Sequence, residues 1–255
     1  MATSRAGSPL LAYVLHRYDW SETSLIVELY TRTLGRVAVV AKGARRPSSQ
    51  LRPVLLPFQP VLVLLGKAPT DAQQDIRLLR SAEWAGGRPL LAAQAMFSAY
   101  YLNELLMKLL PRGEPQPLLF DAYADTLAAL ATEPDESAAL RAFELLLLRE
   151  LGWLPELHTV TLTALPVQPG QAYTLQAEAG IVPGAGPLGI SWQALEQALV
   201  HRSAAALRLL CAPEAGALRV PLRSLLHYHL GPTPLRTRQV WQGLQRLAPP
   251  TAQRP

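Results

Sequence analysis

Lys42-Gly-Ala-Arg45-Arg46-Pro-Ser48-Ser49-Gln50 carries three cations and three further hydrogen-bond donors on a stretch that its Gly, Pro and Ser content makes a turn. Residues of these types at this spacing suit a polyanion, because Lys and Arg neutralise phosphates while hydroxyl and amide groups bond their oxygens. The surroundings favour the same chemistry. Between Glu28 and Asp71 there is no carboxylate, yet Arg32, Arg36, Lys42, Arg45, Arg46, Arg52 and Lys67 all fall there. A second acid-free stretch follows Glu214 and holds Arg219, Arg223, Arg236, Arg238, Arg246 and Arg254. Residues 1–80 contain eleven Lys or Arg against five Asp or Glu, and the rest thirteen against fourteen, so the net +5 is concentrated at the front. A single-sign field attracts polyanions and speeds their capture, whereas a scattered excess would only keep a protein soluble.

A single nucleic acid strand also needs aromatic faces under its bases. Tyr18 and Trp20 flank Asp19 in a turn-like stretch and are the better stacking candidates, while Tyr13 and Phe58 suit a core. Catalytic constellations do not appear. Gly66-Lys67 lacks the glycine and Ser/Thr of a phosphate-binding loop and reads as a hairpin turn. No GxSxG, HExxH, GxGxxG or EF-hand pattern occurs. His227 and His229, two apart on a helix, point to different faces and suit no shared metal. Cys211, the single cysteine, excludes a disulfide framework within the chain and reads as a small buried hydrophobe. The expectation is a protein with no metal, no cofactor and no enzymatic activity.

The elements that must position these residues change character near residue 86. Before it, the segments 10–15, 24–30, 36–41, 60–65 and 76–84 are short, aliphatic and in places alternating, as strands are. Five short strands in about 80 residues indicate a small barrel, an OB-fold foremost. After it, apolar residues recur at three and four over 90–110, 118–131 and 138–151, the last ending at Gly152. Residues 154–190 are rich in Pro and Gly, with one hairpin around 171–178, and further helices are expected at 192–200, 204–211, 218–230 and 236–247. The fold class is therefore α+β. Its expected parts are a barrel over 1–85, a helical domain over 86–153 and 191–250, and an irregular insertion over 154–190. No run of about 18 apolar residues suggests a membrane span, and the start, with few apolar residues before charge returns, is no signal peptide.

Five segments, taken in order, resemble the RecO family of bacterial recombination mediators. These are Tyr13-Val-Leu-His-Arg-Tyr-Asp-Trp-Ser-Glu-Thr-Ser-Leu-Ile-Val-Glu through Gly35-Arg36, then Lys42-Gly-Ala-Arg45-Arg46 through Leu55-Leu-Pro-Phe58. Tyr101-Leu-Asn-Glu, Phe143-Glu-Leu through Gly152-Trp153, and Leu230-Gly-Pro-Thr-Pro-Leu-Arg-Thr-Arg238 follow. The resemblance implies an OB-fold followed by a helical domain. It also implies binding of single- and double-stranded DNA, annealing of complementary strands, and partnership with RecR in loading RecA onto DNA coated by single-strand-binding protein. On this reading Arg32, Arg36, Lys42, Arg45, Arg46, Arg52, Tyr18 and Trp20 contact DNA.

In that family the acidic-hydrophobic tail of single-strand-binding protein docks on the helical domain. Arg141 and Arg149, with Leu102, Leu105 and Leu109 opposite, are candidate suppliers of its cations and groove, although the same leucines suit an ordinary core with solvated arginines. Many relatives carry two Cys-x-x-Cys pairs after the Gly-Trp/Tyr position, and this chain has no cysteine between Leu154 and Ile190, so a zinc-free subdomain is expected. The resemblance further implies a cytoplasmic, nucleoid-associated protein with no membrane partner. An OB-fold RNA-binding factor of ribosome or tRNA maturation is the alternative, since the same loop chemistry suits RNA.

Overall fold

A computed structural model describes residues 8–67, 76–87, 89–232, 234–237, 239, 240 and 243. Strands β1 (Leu10–Asp19), β2 (Leu25–Thr31) and β3 (Gly35–Ala41) precede a single helical turn, α1 (Leu51–Val54). β4 (Pro60–Leu65) and β5 (Ile76–Trp84) follow. They close into a barrel in the order β1-β2-β3-β5-β4, with β4 returning to β1 and only β3–β5 parallel, the arrangement of an OB-fold. Alternation fills it. Ala12 and Val14, Val27 and Leu29, Val37 and Val39, and Val61 and Val63 all point inward, while α1 and Ala44 bring Leu51, Val54 and Leu55 against the same core.

The outward residues of the first two strands include Tyr13 and Tyr30, which are partners in register and nevertheless only 1% and 0% exposed. Their cover is a helix. After β5 the chain forms α2 (Ala93–Leu109) and α3 (Pro117–Thr132). Phe120 and Tyr123 of α3 lie 5.2–6.0 Å, centroid to centroid, from the Tyr13 and Tyr30 rings in tilted and edge-on contacts. Arg32 donates to both oxygens of Asp121 on the same helix. The segment leading into α3 is clasped to the barrel, where Gly113 N–H donates to the Arg36 carbonyl at 2.9 Å. Gly35 has φ +64°, and a Cβ there would meet the Glu114 carbonyl oxygen at 2.0 Å, so this crossing requires glycine.

Two compact units result, Met1–Leu90 with Leu109–Thr132, and Leu91–Lys108 with Glu133–Pro255. The expected boundary at residue 85 thus assigns α3 differently from the structure, because the apolar face of α3 is spent on the outside of the barrel.

The second unit contains most of α2, α4 (Ser137–Glu150), α5 (Gly189–Val200) and α6 (Ala204–Leu230). α6 runs unbroken where two helices were expected, with Pro213 and Pro221 inside it. Each internal proline costs about 3 kcal/mol. The buried stripe Leu207, Cys211, Ala215, Leu218, Leu222, Leu225 and Leu226 stays in helical phase across both, and its burial outweighs that cost. Within this stripe, burial pushes the Cys211 thiol up to about 12.

Residues 154–190 form two small antiparallel pairs rather than an irregular loop with one hairpin. They are β6 (Thr159–Val160) with β7 (Leu165–Pro166), and β8 (Ala172–Gln176) with β9 (Gly180–Leu188). Hydrogen bonds hold them, including Thr161 Oγ1 accepting from Ile181 N–H and the buried Trp192 ring N–H donating to Tyr173 carbonyl. Among the described residues no three His, Cys, Asp or Glu side chains converge as metal ligands, and no helix is long and apolar enough to cross a membrane. The expected helix at 236–247 lies largely outside the described residues.

Truncating Phe120 to Ala removes the ring that touches both tyrosines. Chemical denaturation is expected to show a loss of about 3–5 kcal/mol from the barrel unit, although Phe120 lies more than thirty residues beyond β5.

Candidate nucleic-acid interface

The basic turn is a folded object because Arg45 ties it to the β1–β2 turn. Its guanidinium donates to the Ser21 carbonyl at 2.6 Å and lies 3.4 Å from Asp19, and its backbone N–H donates to Thr23. Arg46 and Ser49 N–H groups close successive turns on Gly43 and Arg46 carbonyls, with Gly43 at φ +72°. This leaves Lys42 and Arg46 exposed to solvent on a turn joined to the one that carries Tyr18 (44% exposed) and Trp20 (58%), and Arg52 of α1 is exposed as well. Tyr18 stands edge-on to His16, ring centroids 4.5 Å apart.

Other sequence-expected residues are placed differently. Arg32 is exposed but engaged by Asp121, and Arg36 lies against Glu28 on the outer face of the sheet, with burial lowering its pKa against the pull of that carboxylate. Tyr13 and Phe58 are buried, as a core role requires. Lys67 is exposed, and residues 68–75 beyond it lie outside the described residues.

A second site forms within the helical unit. A cleft of about 390 Å³ is walled by Phe97, Leu140, Leu226 and Leu235 and by Arg141, Arg219 and Arg223. At its floor Glu144, 1% exposed, accepts from Arg141 Nη2 at 2.8 Å and from the Tyr101 hydroxyl at 2.7 Å. Burial pushes both the Glu144 carboxyl and the Tyr101 hydroxyl up. The rim is set by Glu104, whose carboxylate accepts from the Arg236 and Thr237 N–H groups and the Thr237 hydroxyl at 2.7–3.0 Å.

Of the residues expected to receive a protein tail, only Arg141 reaches this cleft. Arg149 is bonded to both oxygens of Glu196, which also accepts from Leu157 N–H and so anchors the start of the insertion. Leu102 and Leu105 are fully buried and Leu109 is 9% exposed, so they are core. Sequence reasoning missed Phe97, Tyr101, Arg219 and Arg223. The acid-free stretch after Glu214 was the available signal, and the four-residue spacing of Arg219 and Arg223 puts them on one helix face. Arg238, Arg246 and Arg254 lie outside the described residues. His227 lines the cleft, while His229 stacks on Trp153 at 4.2 Å.

Burial alone would raise the Glu104 carboxyl, but the Thr237 and Arg236 N–H groups, the Thr237 hydroxyl and Lys108 hold it below its usual value. A depressed folded value gives stability that is present above the ordinary carboxylate range and lost as pH falls through the lowered value. Glu104→Gln is therefore expected to melt below wild type at pH 7, with the gap closing as the solution is acidified.

Residues 10–87 match the family model described as Recombination protein O N terminal, and residues 92–239 match Recombination protein O C terminal. The chain is 48% identical to "DNA repair protein RecO" of Polaromonas sp. (strain JS666 / ATCC BAA-500), over 97% of this chain and 100% of that one. It is 51% identical to the protein of the same description from Polaromonas naphthalenivorans (strain CJ2), over 92% and 96%. With that of Variovorax paradoxus (strain S110) it shares 48% over 97% and 100%.

Proposed function

The chain belongs to the RecO family of DNA repair proteins, and from that premise we propose that it is a non-enzymatic recombination mediator that holds single-stranded DNA on its barrel. The observation that carries this is the turn pinned by Arg45 to the β1–β2 turn, which presents Lys42 and Arg46 together with the exposed rings of Tyr18 and Trp20, with Arg52 exposed on α1 after it. Cations bind the phosphates and the rings stack bases, a combination indifferent to sequence. The backbone is held while base edges stay open for pairing, which suits annealing of complementary strands. No nucleotide is hydrolysed. RecR joins to admit RecA to DNA coated by single-strand-binding protein, and double-stranded DNA is bound through its phosphates alone.

The cleft of the helical unit receives the acidic-hydrophobic tail of single-strand-binding protein. Its arginines suit carboxylates, and Phe97, Leu140 and Leu226 suit the apolar residues beside them. This cleft replaces the leucine groove of the sequence reading, whose leucines have no surface to offer.

Fluorescence anisotropy of a labelled single-stranded oligonucleotide across a salt series tests the DNA reading. Changing Lys42, Arg45 and Arg46 to Ala is expected to lower the salt slope by about 1.4, at about 0.7 for each of the phosphate contacts of Lys42 and Arg46, and to unpin the turn. An unchanged slope moves the DNA elsewhere, and equal affinity for RNA of the same sequence favours an RNA-binding factor. For the cleft, a labelled acidic-apolar peptide with a free C-terminal carboxylate is expected to bind Arg223→Ala about tenfold more weakly, the loss of one charge-assisted hydrogen bond. Equal binding of the C-terminally amidated peptide would count against a carboxylate site.

A further inference from the structure

Glu28 is an oddly placed acid. Its neighbours Val27 and Leu29 point into the barrel, so Glu28 points out, in register with His16 on β1 and Ala38 on β3. It is nevertheless 1% exposed, because two guanidiniums cover it. Arg36 Nε lies 3.9 Å from one carboxylate oxygen, and Arg112 Nη2 bonds the other. Arg112 belongs to the segment between α2 and α3. It is carried to the barrel by a bridge with Arg36, by the Gly113–Arg36 hydrogen bond and by the close crossing of Glu114 over Gly35.

One cation suffices to neutralise one buried carboxylate. Both guanidiniums lie on the β2–β3 face, where OB-folds take their strands. Arg112 keeps 39% of its side chain exposed against 14% for Arg36, so it is the outward member. On the same face, two residues along β1 from His16, stands the exposed ring of Tyr18, near enough to Arg36 to bear on its protonation.

We propose that Arg112 is a phosphodiester-binding residue for single-stranded nucleic acid, serving the backbone of a strand whose base stacks on Tyr18, with Glu28 as the positioning residue that aims it. The inference rests on the reading of the barrel as a single-strand binder and adds a contact from outside the barrel strands. Glu28 holds the guanidinium through Nη2, so its exposed part meets the strand without the entropy cost of immobilising a loose side chain.

The test is anisotropy titration of labelled oligothymidylate over a salt series. Arg112→Ala is expected to lower the salt slope by about 0.7, equivalent to about fivefold weaker binding at 0.1 M salt, and Arg112→Lys to restore the slope. Tyr18→Leu is expected to weaken binding with the slope unchanged, since stacking releases no counterions. Removing Arg112 alone strips a buried carboxylate of one partner, so Glu28→Gln/Arg112→Ala supplies a variant without that defect and with the net charge of wild type. The slope loss persists in this pair if Arg112 contacts phosphate. Recovery of the full slope in the pair would overturn the inference in favour of net charge alone. An unchanged slope in Arg112→Ala, while the Lys42/Arg45/Arg46 variant still loses its slope, overturns the inference and leaves the DNA reading intact. Salt-independent or undetectable binding by wild type overturns both.

Discussion

Two tyrosines on the outside of a barrel need a cover, and much of the first unit follows from how they get one. Tyr13 and Tyr30 sit side by side on β1 and β2, and Phe120 and Tyr123 of α3 bring rings against them. An aromatic ring buries about 150–250 Å², worth roughly 4–6 kcal/mol gross at about 25 cal/mol per Å². That drive draws α3 onto the strands and fixes the path of the segment before it. The path must cross the start of β3 where Gly35 leaves room, and the crossing sets Arg112 over Glu28. An apolar contact thereby decides where charges lie.

Buried carboxylates recur as fasteners. Glu28, Glu144 and Glu196 are each at most 4% exposed, and each is met by arginine from another turn or segment. Such pairs add little net stability, because desolvation offsets most of the attraction. They do penalise any arrangement that leaves the carboxylate alone, and so they hold geometry. Glu196 fastens the insertion, whose small strands are otherwise held by hydrogen bonds to Thr161 and Tyr173. Glu144 holds Arg141 at the floor of the cleft.

The legible parts of this fold are those whose signal is local. Short aliphatic segments, alternating in places, located all five barrel strands, although β1 runs on to Asp19, and the Lys42–Gln50 turn was evident because its chemistry sits in nine consecutive residues. The allegiance of α3 was not legible. Its 3.6-residue stripe marks a buried face without saying what buries it, and Phe120 and Tyr123 look the same in sequence whether they meet a helix or a barrel. Leu102 and Leu105 illustrate the same gap, since periodicity identifies an apolar face but does not distinguish an open groove from a filled core. The cleft was hidden for another reason: Phe97, Arg141 and Arg223 come from three separate helices and converge only in three dimensions. In α6, local proline rules lost to a seven-residue buried stripe.

The first unit is discontinuous, with residues 91–108 of the second lying between β5 and α3 in the chain. A ribosome releasing this protein therefore delivers the strands well before their outer cover. Roughly fifty residues separate the end of β5 from the end of α3, a delay of about 3–10 s at synthesis rates of about 5–20 residues per second. Through that interval the nascent barrel carries Tyr13 and Tyr30 bare to solvent, a sticky patch on a half-made product. Folding of the barrel unit is thus coupled to elongation past Thr132, and a chain arrested at the family's N-terminal boundary near residue 87 would be a substrate for chaperones rather than a small free-standing barrel.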